Sequence, residues 1–260
     1  MDKNENPIGL FDSGVGGTSI WKAINLLMPN ENCIYLADSK NAPYGQKSKE
    51  EIINLSEKNT ALLLDFNVKI IVVACNTATT NAIKELRAKY KIPFIGIEPA
   101  IKPAALHSST QKIGILATKG TLNSALFNQS LANYSAITFI EQIGTGLVEL
   151  IENGAINSKE MDQLLRSYLV PMIAADIDYL VLGCSHYPYL IPQIKKILPP
   201  HIKIIDSGKA VAKQTHNILK NNNHLSNNVN HGKSVFYTNS NPKVLEEIVG
   251  NSSTVFEKDF

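Results

Sequence analysis

Short apolar runs rich in β-branched side chains alternate along this chain with longer stretches in which apolar positions recur every three or four residues. The short runs predict strands at 7–11, 33–37, 69–74, 94–97, 112–116, 179–182, 203–205 and 233–237. The longer stretches predict helices at 18–28, 48–66, 77–90, 158–173 and 209–220. Strands that are apolar throughout, rather than on alternate positions, are buried on both faces, so the pattern predicts an α/β fold built on mainly parallel sheet flanked by helices. In such sheets ligands collect beyond the carboxyl ends of the strands, and the residues just after each strand are where chemistry is to be sought.

Those residues repeat. Ile8-Gly9-Leu10-Phe11 runs into Asp12-Ser13-Gly14, and Ile113-Gly114-Ile115-Leu116 runs into Ala117-Thr118-Lys119-Gly120. One strand ends at Cys75-Asn76-Thr77 and another at Cys184-Ser185-His186; one ends at Glu98-Pro99 and another at Asp206-Ser207-Gly208. The offset stays at about 105 to 109 residues, the mark of a duplicated βαβ-rich half. The expected architecture is two pseudo-symmetric lobes with the active site in the cleft between them: 1–97 completed by 208–260, and 98–207. The segment 221–233, rich in Asn and poor in apolar residues, is expected to be an exposed loop, and its His224 and His231 lack the Cys or carboxylate company of a metal site.

Composition narrows the function classes. With 260 residues the chain is long enough for two lobes with real cores, and 44% hydrophobic against 18% charged residues is ordinary for a globular protein. A formal net charge of +2 gives no basic footprint for nucleic acid or an anionic membrane. The leading MDKNENPIGL has no apolar secretory core, and no apolar run approaches a membrane span. Three cysteines do not make a disulfide framework, so a reduced, cytoplasmic setting with free thiols is expected.

Cys75 and Cys184 each follow an apolar strand and open the next segment. A thiol at a helix start faces unpaired N–H groups and the positive end of the dipole, both of which favour thiolate. A single such cysteine is ordinarily a small buried filler, but two in matched settings of a duplicated chain point to function. Cys33 has no such setting and reads as structural. Asp12-Ser13-Gly14-Val15-Gly16-Gly17 lacks the G-x-G-x-x-G spacing of a dinucleotide loop and begins with an acid that repels pyrophosphate; it reads instead as a tight loop for a small zwitterion. His186 lies close enough in sequence to assist the Cys184 thiol. Pro43-Tyr44-Gly45 reads as a turn with backbone N–H groups to offer, and Thr118 and Thr121 carry hydroxyls for an anion or, equally, for a helix cap.

Together these motifs resemble the bacterial glutamate racemases of the aspartate/glutamate racemase superfamily. The resemblance spans nearly the whole chain and rests on five ordered stretches: Phe11–Gly17, Ala42-Pro43-Tyr44-Gly45, Ala74-Cys75-Asn76-Thr77-Ala78, Gly183-Cys184-Ser185-His186-Tyr187-Pro188 and Ile205-Asp206-Ser207-Gly208. Ser185 stands where the family usually has Thr, which preserves the hydroxyl. The family's assisting glutamate falls on Glu152, with Glu149 the competing choice in a more divergent stretch.

The resemblance implies a racemase that needs no cofactor and no metal, with Cys75 and Cys184 as paired acid–base groups assisted by Asp12, His186 and Glu152. It implies substrate contacts from Asp12, Ser13, Pro43, Tyr44, Gly45, Asn76, Thr77, Thr118, Thr121, Ser185 and His186. It further implies a small-molecule substrate, glutamate, a homodimer, and D-glutamate supplied to peptidoglycan synthesis. Some relatives with a longer N-terminal extension depend on a peptidoglycan precursor; the few residues before Pro7 here suggest no such dependence. An aspartate or hydantoin racemase stays open as an alternative, since only the side-chain pocket separates them. A non-catalytic amino-acid-binding module is disfavoured by the retention of both cysteines, and a redox protein by the absence of C-x-x-C.

Overall fold

The computed structural model describes residues 3–250 and 253–260. Its strands are β1 (Ile8–Asp12), β2 (Cys33–Ala37), β3 (Ile70–Val73), β4 (Phe94–Gly96), β5 (Lys112–Ala117), β6 (Thr138–Ile143), β7 (Tyr179–Gly183), β8 (Lys203–Ile205), β9 (Ser234–Thr238) and β10 (Thr254–Glu257). The α-helices are α1 (Thr18–Leu27), α2 (Lys49–Asp65), α3 (Asn76–Lys89), α4 (Ile101–His107), α5 (Lys119–Leu122), α6 (Ala125–Leu131), α7 (Leu147–Glu152), α8 (Lys159–Ala174), α9 (Ile191–Ile197), α10 (Gly208–Asn221) and α11 (Lys243–Val249).

The strands form two sheets, both parallel throughout: β10-β9-β2-β1-β3-β4 and β6-β5-β7-β8. The order β2-β1-β3-β4 in the first recurs as β6-β5-β7-β8 in the second, so the repeat seen in the sequence has a counterpart in topology. The central strands β1, β3 and β7 are buried at every position, as two-faced burial requires. β9 and β10 return to the first sheet after the chain has completed the second, and Phe236 of β9 packs its ring edge-on to Trp21 of α1 at 4.8 Å. One apolar cluster joins both lobes, running from Ile8, Leu10 and Ile20 to Leu147, Leu180 and Tyr187.

β6 was not among the strands expected from the sequence. Its run, Thr-Phe-Ile-Glu-Gln-Ile, lies on the sheet's edge with no position fully buried, so polar Glu141 and Gln142 interrupt the apolar signal. β10, also an edge strand, was missed for the same reason. The loop expected over 221–233 is irregular beyond the end of α10. No helix among the described residues is long and apolar enough to cross a membrane.

Local signals set the helix starts. Ser48 accepts from Glu51 N while Glu51 reaches back to Ser48 N, a complete capping box opening α2. Thr118 and Ser158 cap α5 and α8 by accepting from the N–H three residues on. Cys75 does the same for α3: its Sγ accepts from Ala78 N at 3.4 Å. The cap that starts a helix is here a thiol, which places the sulfur at the carboxyl end of β3.

Candidate active site

The carboxyl ends of the two sheets face each other. Asp12 and Ser13 follow β1, Cys75 follows β3, Thr118 follows β5 and Cys184 follows β7. Cys75 and Cys184 line one small, tightly closed cavity together with Ser13, Pro43, Tyr44, Gly45, Asn76, Thr77, Thr118, Ser185 and His186. Both cysteines are unbridged and buried. Ser13 Oγ lies 3.7 Å from Cys75 Sγ, and His186 Nδ1 lies 3.8 Å from Cys184 Sγ.

The side-chain amide of Asn76 is buried in this cavity wall, and neither its nitrogen nor its oxygen has a hydrogen-bond partner. An unpaired buried amide is costly, so the arrangement calls for a polar ligand that supplies both a donor and an acceptor.

Behind the thiols lies a buried polar relay. Asp12 Oδ2 accepts from Gly17 N at 2.8 Å, and Oδ1 accepts from Ser185 Oγ at 3.1 Å. His186 Nδ1 is 3.9 Å from Asp12 Oδ2, and His186 Nε2 is 2.5 Å from Glu152 Oε1. Glu152 also accepts from Val15 N at 2.7 Å and from Ser39 Oγ at 2.8 Å, so its carboxylate joins α7 to two loops of the first sheet. Of the two glutamates left open by the sequence, Glu152 reaches His186, whereas Glu149 lies at the surface and accepts from Gln46 Nε2 at 2.6 Å.

The electrostatics follow from burial. Burial pushes the Cys75 thiol well above its ordinary range, and the nearby Asp12 carboxylate adds to this. That opposes the thiolate-favouring direction expected from the helix start: in this enclosed site desolvation outweighs the Ala78 N–H. Burial likewise raises the Asp12 carboxyl, against the pull of His186 and the Gly17 N–H. For His186 burial works downward, but the contacts with Cys184 and Glu152 and the Asp12 charge outweigh it and raise the imidazole well above its usual value.

Not every expected contact residue faces the cavity. Asp12 and Thr121 are fully buried behind the wall. Thr121 Oγ1 lies 3.3 Å from Thr77 Oγ1 and 3.1 Å from Thr118 Oγ1, so it holds those two hydroxyls rather than presenting its own. The Tyr44 hydroxyl is turned away from the cavity and donates to Asp38. What the Pro43-Tyr44-Gly45 turn offers a ligand is therefore its backbone and the apolar body of the ring. Sequence reading passed over Asp38, Asn59 and Asn239, which stand behind this turn; their only signal was polarity within otherwise apolar surroundings.

Glycines let the lobes meet. A Cβ at Gly14 would lie 2.0 Å from Glu152 Oε1, and one at Gly16 would lie 2.2 Å from His186 Nδ1 and 2.6 Å from the His186 backbone nitrogen. Backbone cannot yield as a flexible side chain does. Gly16→Ala is expected to lower kcat by about 100-fold through displacement of His186, since a misplacement of about 1 Å costs roughly that much. Steady-state kinetics alongside thermal unfolding check this; full activity would show that the lobes approach less closely in solution.

Two parallel α/β lobes closing on a cavity lined by one cysteine from each define a racemase-type scaffold. The profile of the Asp/Glu/Hydantoin racemase family matches residues 18–215. A glutamate racemase of Herpetosiphon aurantiacus is 41% identical over 94% of this chain and 96% of its own length. The structure of glutamate racemase isoform RacE1 from Bacillus anthracis superposes with a TM-score of 0.89 at 31% identity, covering 99% of this chain and 98% of that one. That of the Francisella tularensis enzyme in complex with D-glutamate gives 0.85 at 28% identity, covering 98% of each chain. The chain belongs to the Asp/Glu/hydantoin racemase family and, within it, to the bacterial glutamate racemases; it is an amino-acid racemase, an isomerase.

Proposed function

We propose that the protein interconverts L- and D-glutamate without a cofactor, with Cys75 and Cys184 as acid and base on opposite faces of the α-carbon. The observation that carries this reading is that the two thiols come from equivalent positions of two facing sheets and line one cavity whose Asn76 amide lacks a partner. Relatives named glutamate racemase, one of them seen with D-glutamate bound, supply the substrate.

Inverting an α-carbon means removing its proton on one face and delivering one on the other, which two bases on opposed walls do without turning the substrate. In each turnover a thiolate takes the α-proton and becomes a thiol, while the facing thiol gives up a proton and becomes a thiolate. The pair thus carries one negative charge between them, because two thiolates so placed would repel. His186, between Cys184, Asp12 and Glu152, stabilises the charged form of Cys184. The Asn76 amide and the N–H groups at the start of α3 and after Cys184 hold the α-carboxylate as charge builds at the α-carbon. Ser13 lies beside the ammonium, and the 43–45 turn with Thr77 and Thr118 receives the far carboxylate.

In this reading the lobes, 1–97 with 208–260 and 98–207, separate to admit substrate and close to exclude water. The homodimer and the supply of D-glutamate to peptidoglycan rest on the family resemblance.

The test is incubation with L-glutamate in deuterated water without pyridoxal phosphate. α-Deuterated D-glutamate is expected; recovery of unlabelled L-glutamate would sink the proposal. Aspartate is one methylene shorter and leaves its far carboxylate short of the 43–45 turn. Its kcat/KM is expected to be lower by about 10- to 200-fold, the usual worth of a methylene in a fitted site, and equal turnover would favour the broader amino-acid racemase reading.

A further inference from the structure

The substrate-facing turn at 43–45 leans on a buried carboxylate with no place in the proton transfer. Asp38, just beyond β2, is 1% exposed. One of its oxygens, Oδ1, accepts from Asn41 Nδ2 at 2.7 Å and from Asn239 Nδ2 at 2.5 Å. The other accepts from the Tyr44 hydroxyl and, at 3.5 Å, from Asn59 Nδ2. Asn59 Nδ2 also donates to the Tyr44 oxygen at 3.1 Å.

These donors come from four separate places: Asn41 and Tyr44 from the two short turns after β2, Asn59 from the middle of α2, and Asn239 from the residue after β9. Asn239 is itself fixed, accepting from Lys40 N at 2.9 Å and donating to Phe260 O at 3.1 Å. A carboxylate is buried at this cost only when its lone pairs are filled, and here they are filled by neutral donors rather than by a cation. Among the described residues no Lys or Arg pairs with Asp38, so the carboxyl group is held by these hydrogen bonds alone.

We infer that Asp38 is a positioning residue for substrate selection. It grips the Tyr44 hydroxyl, aims the backbone of the 43–45 turn into the cavity, and so sets the affinity for the substrate's far carboxylate. This rests on the reading of the site as a glutamate pocket. The far carboxylate keeps its charge throughout the reaction, so contacts to it are equally strong in ground and transition states. Loosening such contacts raises KM and leaves kcat comparatively untouched. Burial and the neighbouring Asp38 charge push the Tyr44 hydroxyl well above its ordinary range, so it remains a donor at all working pH values.

The experiment is a double-mutant cycle on the full chain: Asp38→Asn, Tyr44→Phe and the pair, each assayed for kcat and KM with L-glutamate. Each single change is expected to raise KM by about 10-fold, with kcat altered by less than about 3-fold. Because both act through one hydrogen bond, the pair is expected to be no worse than the poorer single within about 2-fold. Asn239→Ala removes a donor at the far side of Asp38 and is expected to raise KM by about 3-fold; it stands in should Asp38→Asn fail to fold. Effects that multiply to about 100-fold in the pair, or a kcat loss with KM unmoved, overturn the inference. A native chain inert toward glutamate overturns the substrate reading and this inference with it, whereas an active native chain with independent single effects overturns the role of Asp38 alone.

Discussion

Cys75→Ser and Cys184→Ser are each expected to lower kcat/KM for racemisation by about 10⁴-fold, the upper range for removing a positioned acid–base group. A serine hydroxyl occupies nearly the same space but is a far weaker acid, and neither wall can then complete its half of the exchange. Enantiomers have equal free energy, so kcat/KM must fall by the same factor whether the assay starts from L- or D-glutamate. The asymmetry appears elsewhere. Each variant keeps one thiol, and that thiol faces the α-proton of one enantiomer only. In deuterated water Cys75→Ser is expected to wash label into one enantiomer without inversion, and Cys184→Ser into the other. Racemisation and mass spectrometry on the same samples read both outcomes. Full turnover by either variant, or identical exchange specificity in both, removes the two-thiol mechanism while leaving the family assignment standing.

The second large effect concerns His186. Burial alone would strip its proton, but the Cys184 and Glu152 contacts and the Asp12 charge outweigh it and raise the imidazole well above its usual value. Its Nδ1 lies 3.8 Å from Cys184 Sγ, so in the proposed exchange a proton held on the ring offsets charge that passes to that sulfur. His186→Asn is expected to cost about 10²- to 10³-fold in kcat, the size of losing one preorganised electrostatic partner. The pH profile distinguishes this from a packing defect. A group whose folded value is raised contributes stability that is fully present below its unfolded value, 6.5, and is lost as pH rises through the folded value. Activity and thermal stability of the native protein should therefore decline together on the alkaline side. The His186→Asn variant should lose that shared decline. An alkaline limb that persists unchanged in the variant would show that another group sets it.

The relay also clarifies why Glu152 reaches across the lobes. Its carboxylate touches His186 on one side and Val15 N and Ser39 on the other. One side chain thereby links the charge state of the imidazole to the approach of the two lobes. The cavity walls and the relay form one buried polar system, and its members are expected to respond non-additively to substitution.

What the chain's own order of residues determined is the scaffold and the position of its chemistry. Apolar runs buried on both faces leave a parallel sheet as the outcome, and a parallel sheet puts Asp12, Cys75, Thr118 and Cys184 at carboxyl ends whatever the details of packing. The repeat of these positions along the chain was enough to pair the two thiols. Tertiary structure alone decided which groups line the cavity and in which direction burial shifts Cys75, Asp12 and His186. Glu149 and Glu152 lie one turn apart on the same short helix, so only the approach of the first sheet's loops selects Glu152. Packing, not local sequence, directs the Tyr44 hydroxyl to Asp38 and sets that of Thr121 against Thr77 and Thr118. Cys75 sits at a helix start that favours thiolate, yet the walls around it remove the water that would support the charge. Each of these depends on residues far apart in the chain, and desolvation has no local sequence signature: it is set by what the rest of the molecule places on top.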